Sequence, residues 1–346
     1  IMKAMAKASR RVTACVDPRI ELIASVEAAA GGNPCASCPE SAYLERMRSW
    51  ADASHPAAAL FGKMTAADWR HRHPSLILMD FGPPPALEIR AYGEHYLNAG
   101  KGDAVERLVA ALRDLCGKKN FDARFSREAG FYDELLAQTR AKLPDERCID
   151  QVNEYLGLSA PVRYHFLMAP LYHGSVEHNV LYPRPDGSFD IYSVVGHAGV
   201  EKGRPWFQAS REELSCTVWH EVAHTVIDPV TQGHAARLEP LKSLYGLMTG
   251  LAKEKYRGPG GWLHMVDEHV IRAVTSRISL STRGERAGRQ ALLEEKKEGF
   301  ALVGPLYELL SQYEADRRAY PDIKRFYPRI VDLLGRLHQR ANDRGH

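Results

Sequence analysis

The stretch SREELSCTVWHEVAHTVIDP, Ser210 to Pro229, decides how this chain is read, because it sets His-Glu-x-x-His inside a segment with the marks of a helix. Ser210 and Glu213 have the spacing of a capping box, helix formers follow, and Pro229 is expected to close the run. On a helix, His220 and His224 lie one turn apart on one face and can share a tetrahedral metal. At about 100° per residue, Thr217, His220, Glu221 and His224 fall on one arc, and Leu214, Val218, Trp219, Val222, Ala223, Val226 and Ile227 fill the rest. A helix apolar over most of its circumference belongs in a core, where a glutamate beside two histidines is costly unless a cation or hydrogen bonds compensate it. Zn2+ is the expected compensation. The competing reading is a chance match on an ordinary core helix.

Working outward, 346 residues can bury a substantial core, and 45% hydrophobic with 26% charged residues is the composition of an ordinary globular protein. A formal charge of +3, evenly spread, argues against nucleic acid as a partner. No apolar run approaches the ~18 residues that a membrane span needs, so no transmembrane segment is expected. The chain opens on Ile1 rather than Met, which fits an upstream segment removed before the numbering begins and leans towards export, with a cytoplasmic location left open. Six scattered cysteines are too few for a disulfide scaffold. Cys35 and Cys38 form the one C-x-x-C, without the second pair that a four-ligand site requires.

The N-terminal 160 residues read as helical. A short strand at residues 11–16 is followed by a helix after Asp17-Pro18-Arg19 that Gly31 and Gly32 end. Further helices are expected around residues 42–50, 85–97, 103–115, 132–143 and 148–156, and His55, His71 and His73 among them are expected at the surface or at caps. From Pro161 the period changes to strands, and Arg184-Pro185-Asp186-Gly187 carries a hairpin signal between the last two. Helical pattern returns after the motif, with a break near residue 320. The expected fold is α+β and predominantly helical, one unit made of a helical region (1–160), a sheet plus metal-binding core (161–275) and a helical C-terminal region (276–346).

Two histidines leave a catalytic zinc short of its usual three protein ligands. Residues 225–231 read TVIDPVT, which excludes the extended motif that places a third histidine in the same run. His234, His264, Asp267, Glu268 and His269 remain. In the helix that holds Glu268, Val266, Val270 and Val274 make an apolar stripe, with His264, Glu268 and Arg272 opposite. That face could line a cleft, or meet water with Glu268 and Arg272 as an i, i+4 ion pair.

Four blocks carry a resemblance: DPRIEL (Asp17–Leu22), the motif with its trailing Asp-Pro (His220–Pro229), Glu268-x-x-x-Arg272-Ala273, and YPDIKRFYPRI (Tyr320–Ile330). Together they resemble the zincin metallopeptidases that take a glutamate as third ligand, and more narrowly an uncharacterised bacterial domain family of predicted zinc peptidases. The resemblance spans nearly the whole chain. It implies a zincin-like fold with a small sheet on the motif helix, zinc held by His220, His224 and Glu268, and Glu221 as general base.

The expected chemistry is zinc-assisted hydrolysis of a peptide or protein substrate. A second electrophile is expected beside the metal, with Arg272 and Tyr320 preferred and His264, His269, Tyr307, Tyr313 and Tyr327 as further candidates. Asp228, one turn beyond His224, either orients that imidazole or only closes the helix. The strand Asp190–Gly196 is expected to offer its edge to an extended substrate or to sit inside the sheet, and RGPGG before the Glu268 helix is a lip or a plain connector. The alternative function is a catalytically silent zinc-binding domain that recognises a peptide or protein partner. The intact Glu221 argues against it.

Overall fold

Asp17, Pro18 and Arg19 start the first helix by local chemistry. The Asp17 carboxylate accepts from the Arg19 N–H at 2.8 Å, and Pro18 fills the first helical position, where no N–H is needed. In the computed structural model, which describes residues 10–31, 41–66, 74–90, 102–157, 161–173, 178–207, 210–255 and 261–344, this helix is α1 (Pro18–Ala29). The chain divides into two compact units, residues 1–144 with 161–211, and residues 145–160 with 212–346. These boundaries cut across the three regions read from the sequence. The architecture is mainly helical with a small mixed sheet, an α+β fold.

The first unit is built on a sheet of order β1-β2-β4-β3, from β1 (Val12–Cys15), β2 (Val162–His173), β3 (His178–Pro183) and β4 (Phe189–His197). β1 and β4 run parallel to β2, and β3 runs antiparallel to β4. The hairpin signal is borne out: the Gly187 N–H donates to Arg184 O at 3.0 Å with Gly187 at φ 76°. Buried Asp190 receives Arg163 from β2 at 3.0 Å and Arg184 from the turn at 2.5 Å. β4 lies between β2 and β3, so its paired segment is interior and offers no free edge. α1 packs on β2 and on α2 (Ala42–Ala51) and α3 (Pro56–Ala66), and α3 packs on α4 (Gly102–Lys119). A helix covered on several sides is buried round most of its surface, as α1 is. A 3-10 segment (Pro74–Asp80) also packs on α1, and α5 (Phe121–Arg127) and α6 (Ala129–Arg140) follow α4.

The expected helix at 85–97 is not formed in its described part. The chain turns at residues 84–86, Leu87 takes φ 46°, which ends any right-handed helical run, and the segment bends back so that Gly82 N–H donates to Glu88 O at 2.7 Å and Phe81 bridges Ile89. His55 caps α3, its Nδ1 accepting from Ala57 N–H at 3.2 Å. Residues 91–97, Cys35, Cys38, His71 and His73 lie outside the described residues.

The second unit comprises α7 (Arg147–Leu156), α8 (Arg211–Gly233), α9 (Ala235–Leu238), a 3-10 segment (Glu239–Leu247), α10 (Gly250–Lys255), α11 (Gly261–Arg283), α12 (Glu285–Lys297), α13 (Val303–Ala315) and α14 (Ile323–Arg344). α11 is the central helix and packs on α7, α12 and α13. The α11–α12 crossing depends on Gly288, where a Cβ would fall 2.5 Å from Leu280 Cβ. The break near residue 320 is observed between α13 and α14. The RGPGG segment is outside the described residues except Gly261, which opens α11. No helix among the described residues is long and apolar enough to cross a membrane.

Candidate metal centre

α8 begins at Arg211, next to Ser210, and carries the motif on a continuous helix. Leu214, Val218, Trp219, Val222, Ala223, Val226 and Ile227 are all buried, the apolar set read from the sequence. Pro229 does not end the helix, which runs on to Gly233. A proline here removes a single N–H, and the turn beyond it is held from outside, where buried Thr231 bonds the Tyr327 hydroxyl at 2.5 Å. One consequence concerns Asp228. Because it stays helical, it lies one turn after His224, and its Oδ1 is 2.8 Å from His224 Nδ1. With Nδ1 engaged there, Nε2 is the nitrogen that faces away from Asp228.

α11 brings the third residue. Its polar face is buried at Glu268, which is 4% exposed and lies against the two imidazoles, and is open to water at His264. His220 Nε2 is 3.3 Å from His224 Nε2 and 3.5 Å from Glu268 Oε2, and His224 Nε2 is 3.8 Å from Glu268 Oε1. A tetrahedral zinc with bonds of about 2.0–2.1 Å sets neighbouring ligand atoms about 3.3 Å apart. The separation of the two imidazole nitrogens matches that spacing, each of them lies within 3.8 Å of one of the two Glu268 oxygens, and the three residues form a group able to hold a metal ion. Glu221 Oε1 is 3.9 Å from His220 Nε2, at the edge of the cluster.

The electrostatics suit a cation. Burial acts to raise the Glu268 pKa, but His220, Arg272 and His224 outweigh it and hold the carboxyl well below its usual range. Burial pulls His220 down to about 4, against the pull of Glu268. For His224, burial is outweighed by the Asp228 hydrogen bond and the charges of Glu221, Asp228 and Glu268, and the pKa rises to about 10. At neutral pH the pair thus carries one positive charge, on His224, whose Nε2 proton ligation must displace.

The other candidates sort by position. His264 is 52% exposed, with Nε2 3.9 Å from Glu268 Oε1 and its ring 6.1 Å from that of His224. His269 is fully buried with Nδ1 against Met265 O at 2.7 Å, and burial pushes it down to about 4. Asp267 is buried, with burial and then Asp228 pushing it up to about 8. His234 stacks on Tyr327, ring centroids 5.4 Å apart. Arg272 donates to Glu268 at 3.2 Å and to Glu295 at 2.6 Å. Tyr320 lies in the α13–α14 connection, its ring edge-on to Phe326 at 4.9 Å, and none of its contacts reaches His220, His224 or Glu268. Tyr307 lies under Arg277, and Tyr313 donates to Tyr155 O at 2.7 Å. Glu295 and Phe300 are neighbours of the site that sequence reasoning missed. Neither has a fixed spacing from the motif.

The chain belongs to the family described as a domain of unknown function (DUF4932), whose model matches residues 90–333 and so spans α8, α11 and all three candidate ligands. Comparison with curated proteins and with solved structures gave no match.

Proposed function

We propose that the protein is a zinc-dependent metallopeptidase of the zincin type, with His220, His224 and Glu268 as ligands. The observation that supports this reading is the cluster of two imidazoles and a buried carboxylate, with the two Nε2 atoms 3.3 Å apart and each within 3.8 Å of one Glu268 oxygen. A zinc ion held by these three residues would supply an acidified water, its pKa lowered towards about 7, and a Lewis acid for a peptide carbonyl. Glu221 projects from α8 beside His220, its side chain 12% exposed, placed to take a proton from the attacking water and return it to the leaving amine. Asp228 holds the His224 ring through Nδ1, leaving Nε2 as the nitrogen that would ligate. His264, half exposed at the edge of the ligand cluster, is placed to meet substrate. The buried faces of α8 and α11 limit the water that reaches Glu268.

Hydrolysis of a mixed-sequence peptide pool by zinc-loaded protein, with and without chelator, tests the reading. The zinc enzyme should lose activity on chelation, and Glu221→Gln should keep zinc while losing about 10²–10⁴ in turnover. Full activity in that variant would remove Glu221 from the mechanism. Zinc retention with no hydrolysis by either protein would favour the silent, partner-binding reading.

A further inference from the structure

Arg272 stands one helical turn after Glu268 on α11, and an exposed i, i+4 ion pair at that spacing would contribute little. This pair is of another kind. The Arg272 side chain is 15% exposed and is held by carboxylates and an aromatic ring. Its Nε donates to Glu268 Oε2 at 3.2 Å. Its Nη1 donates to Glu295 Oε2 on α12 at 2.6 Å and lies 3.8 Å from Glu298 Oε2. The guanidinium carbon lies 3.9 Å from the centroid of the Phe300 ring.

The platform under Arg272 is itself fixed. The turn after α12 closes with Gly299 N–H donating to Lys296 O at 3.1 Å and Phe300 N–H to Glu295 O at 3.1 Å. Gly299 sits at φ 99°, and a Cβ there would fall 1.9 Å from Thr249 O, so the turn is pressed against the start of α10. The His269 ring packs edge-on to Phe300 at 5.2 Å.

The oxygens of Glu268 are divided by this arrangement. Oε2 faces Arg272 and His220, and Oε1 faces His224 at 3.8 Å and His264 at 3.9 Å. A planar guanidinium anchored on a second carboxylate and an aromatic face can hold the first carboxylate in one orientation, which a flexible ammonium does less well. We infer that Arg272 is a positioning residue. Anchored by Glu295 and Phe300, it sets the rotamer of Glu268 so that the third ligand is aimed at the imidazole pair before a metal arrives. This rests on the zinc reading above and deepens it. The turn that ends α12 then tunes metal affinity without contributing a ligand, and Arg272 acts through Glu268 rather than on substrate.

The test is Zn2+ affinity of the metal-free full chain, measured by competition with a chromophoric chelator, for wild type, R272A, R272K, E295Q and the exposed α12 control R289A. The expected result is a loss of about 10–100-fold in R272A, a partial rescue in R272K, a smaller loss in E295Q and no change in R289A. The Co2+ absorption spectrum should also change in R272K while its thermal midpoint stays near that of wild type. Affinity of R272K and E295Q within twofold of wild type overturns the inference and leaves the zinc reading standing, and these two variants decide if R272A does not fold. A wild-type protein that binds no Zn2+ overturns both.

Discussion

Glu21 and Glu268 are two glutamates on two buried helices, 0% and 4% exposed, and they face opposite electrostatic situations. Glu21, in the first turn of α1, accepts from the Tyr43 hydroxyl through Oε2, and its Oε1 has no hydrogen-bond partner among the described residues. Burial pushes its pKa up to about 8, helped by Asp17 and Glu128 and opposed by Tyr43. It is a neutral acid at pH 7. Glu268 meets burial of the same degree with Arg272 at 3.2 Å and two imidazoles within 4 Å, and it remains a carboxylate. Burial alone therefore does not make a ligand. The charges that face the carboxyl decide whether it can bind a cation.

The largest effect that could break this contrast is on metal binding. Glu268→Ala should weaken Zn2+ binding by about a thousandfold, as loss of one of three ligands, while Glu21→Gln leaves it unchanged. Equal Zn2+ affinity of Glu268→Ala and wild type in a chelator competition would contradict the assignment of Glu268.

The next effect is on stability. The folded state keeps the Glu21 proton up to a pKa of about 8, while the unfolded chain releases it near 4.5, so the folded state binds more protons in that window. Stability must then fall as pH rises, by about 1.4 kcal/mol per pH unit from this group. Urea denaturation of wild type and Glu21→Gln from pH 4.5 to 8 should show that extra slope in wild type only. Parallel profiles would mean that Glu21 is ionised in the fold.

Legibility in the sequence followed the same divide between local and distant causes. The histidine arc of α8 and its apolar complement are set by the 3.6-residue period, and both are found where the pattern puts them. Glu268 was different. The pattern Val266, Val270, Val274 left its face open to cleft or water, and Glu268 is covered by His220 and His224 from α8, distant in sequence, while His264 on the same face stays exposed. Glu295 and Phe300 were invisible for the same reason, since a contact across the α11–α12 crossing leaves no periodic trace. Pro229 was misread as a stop because the Thr231–Tyr327 bond that holds the turn beyond it joins residues 96 apart. The strand expected at Asp190–Gly196 was found, but its interior place depends on pairing with both β2 and β3. The helix expected from residue 85 failed locally, at a turn over residues 84–86 followed by Leu87 at φ 46°.

A third effect sharpens the contrast through pH. His224 is protonated below about 10 and must lose that proton to bind metal, so Zn2+ affinity should rise about tenfold per pH unit between pH 6 and 8. Calorimetry in two buffers of different ionisation enthalpy should report about one proton released per Zn2+. An affinity flat with pH would mean that both imidazoles are already neutral. The smallest effect belongs to Asp228, whose 2.8 Å contact orients His224. Asp228→Asn should weaken Zn2+ binding by about tenfold and leave the Glu21 profile untouched.

The central claim is that His220, His224 and Glu268 meet at one metal. Elemental analysis of the purified chain after zinc loading and dialysis tests it most directly, with the double variant His220→Ala/His224→Ala beside it. The account predicts one zinc per wild-type chain and none in the double variant, and it is contradicted by a wild-type chain without zinc or by equal zinc in both.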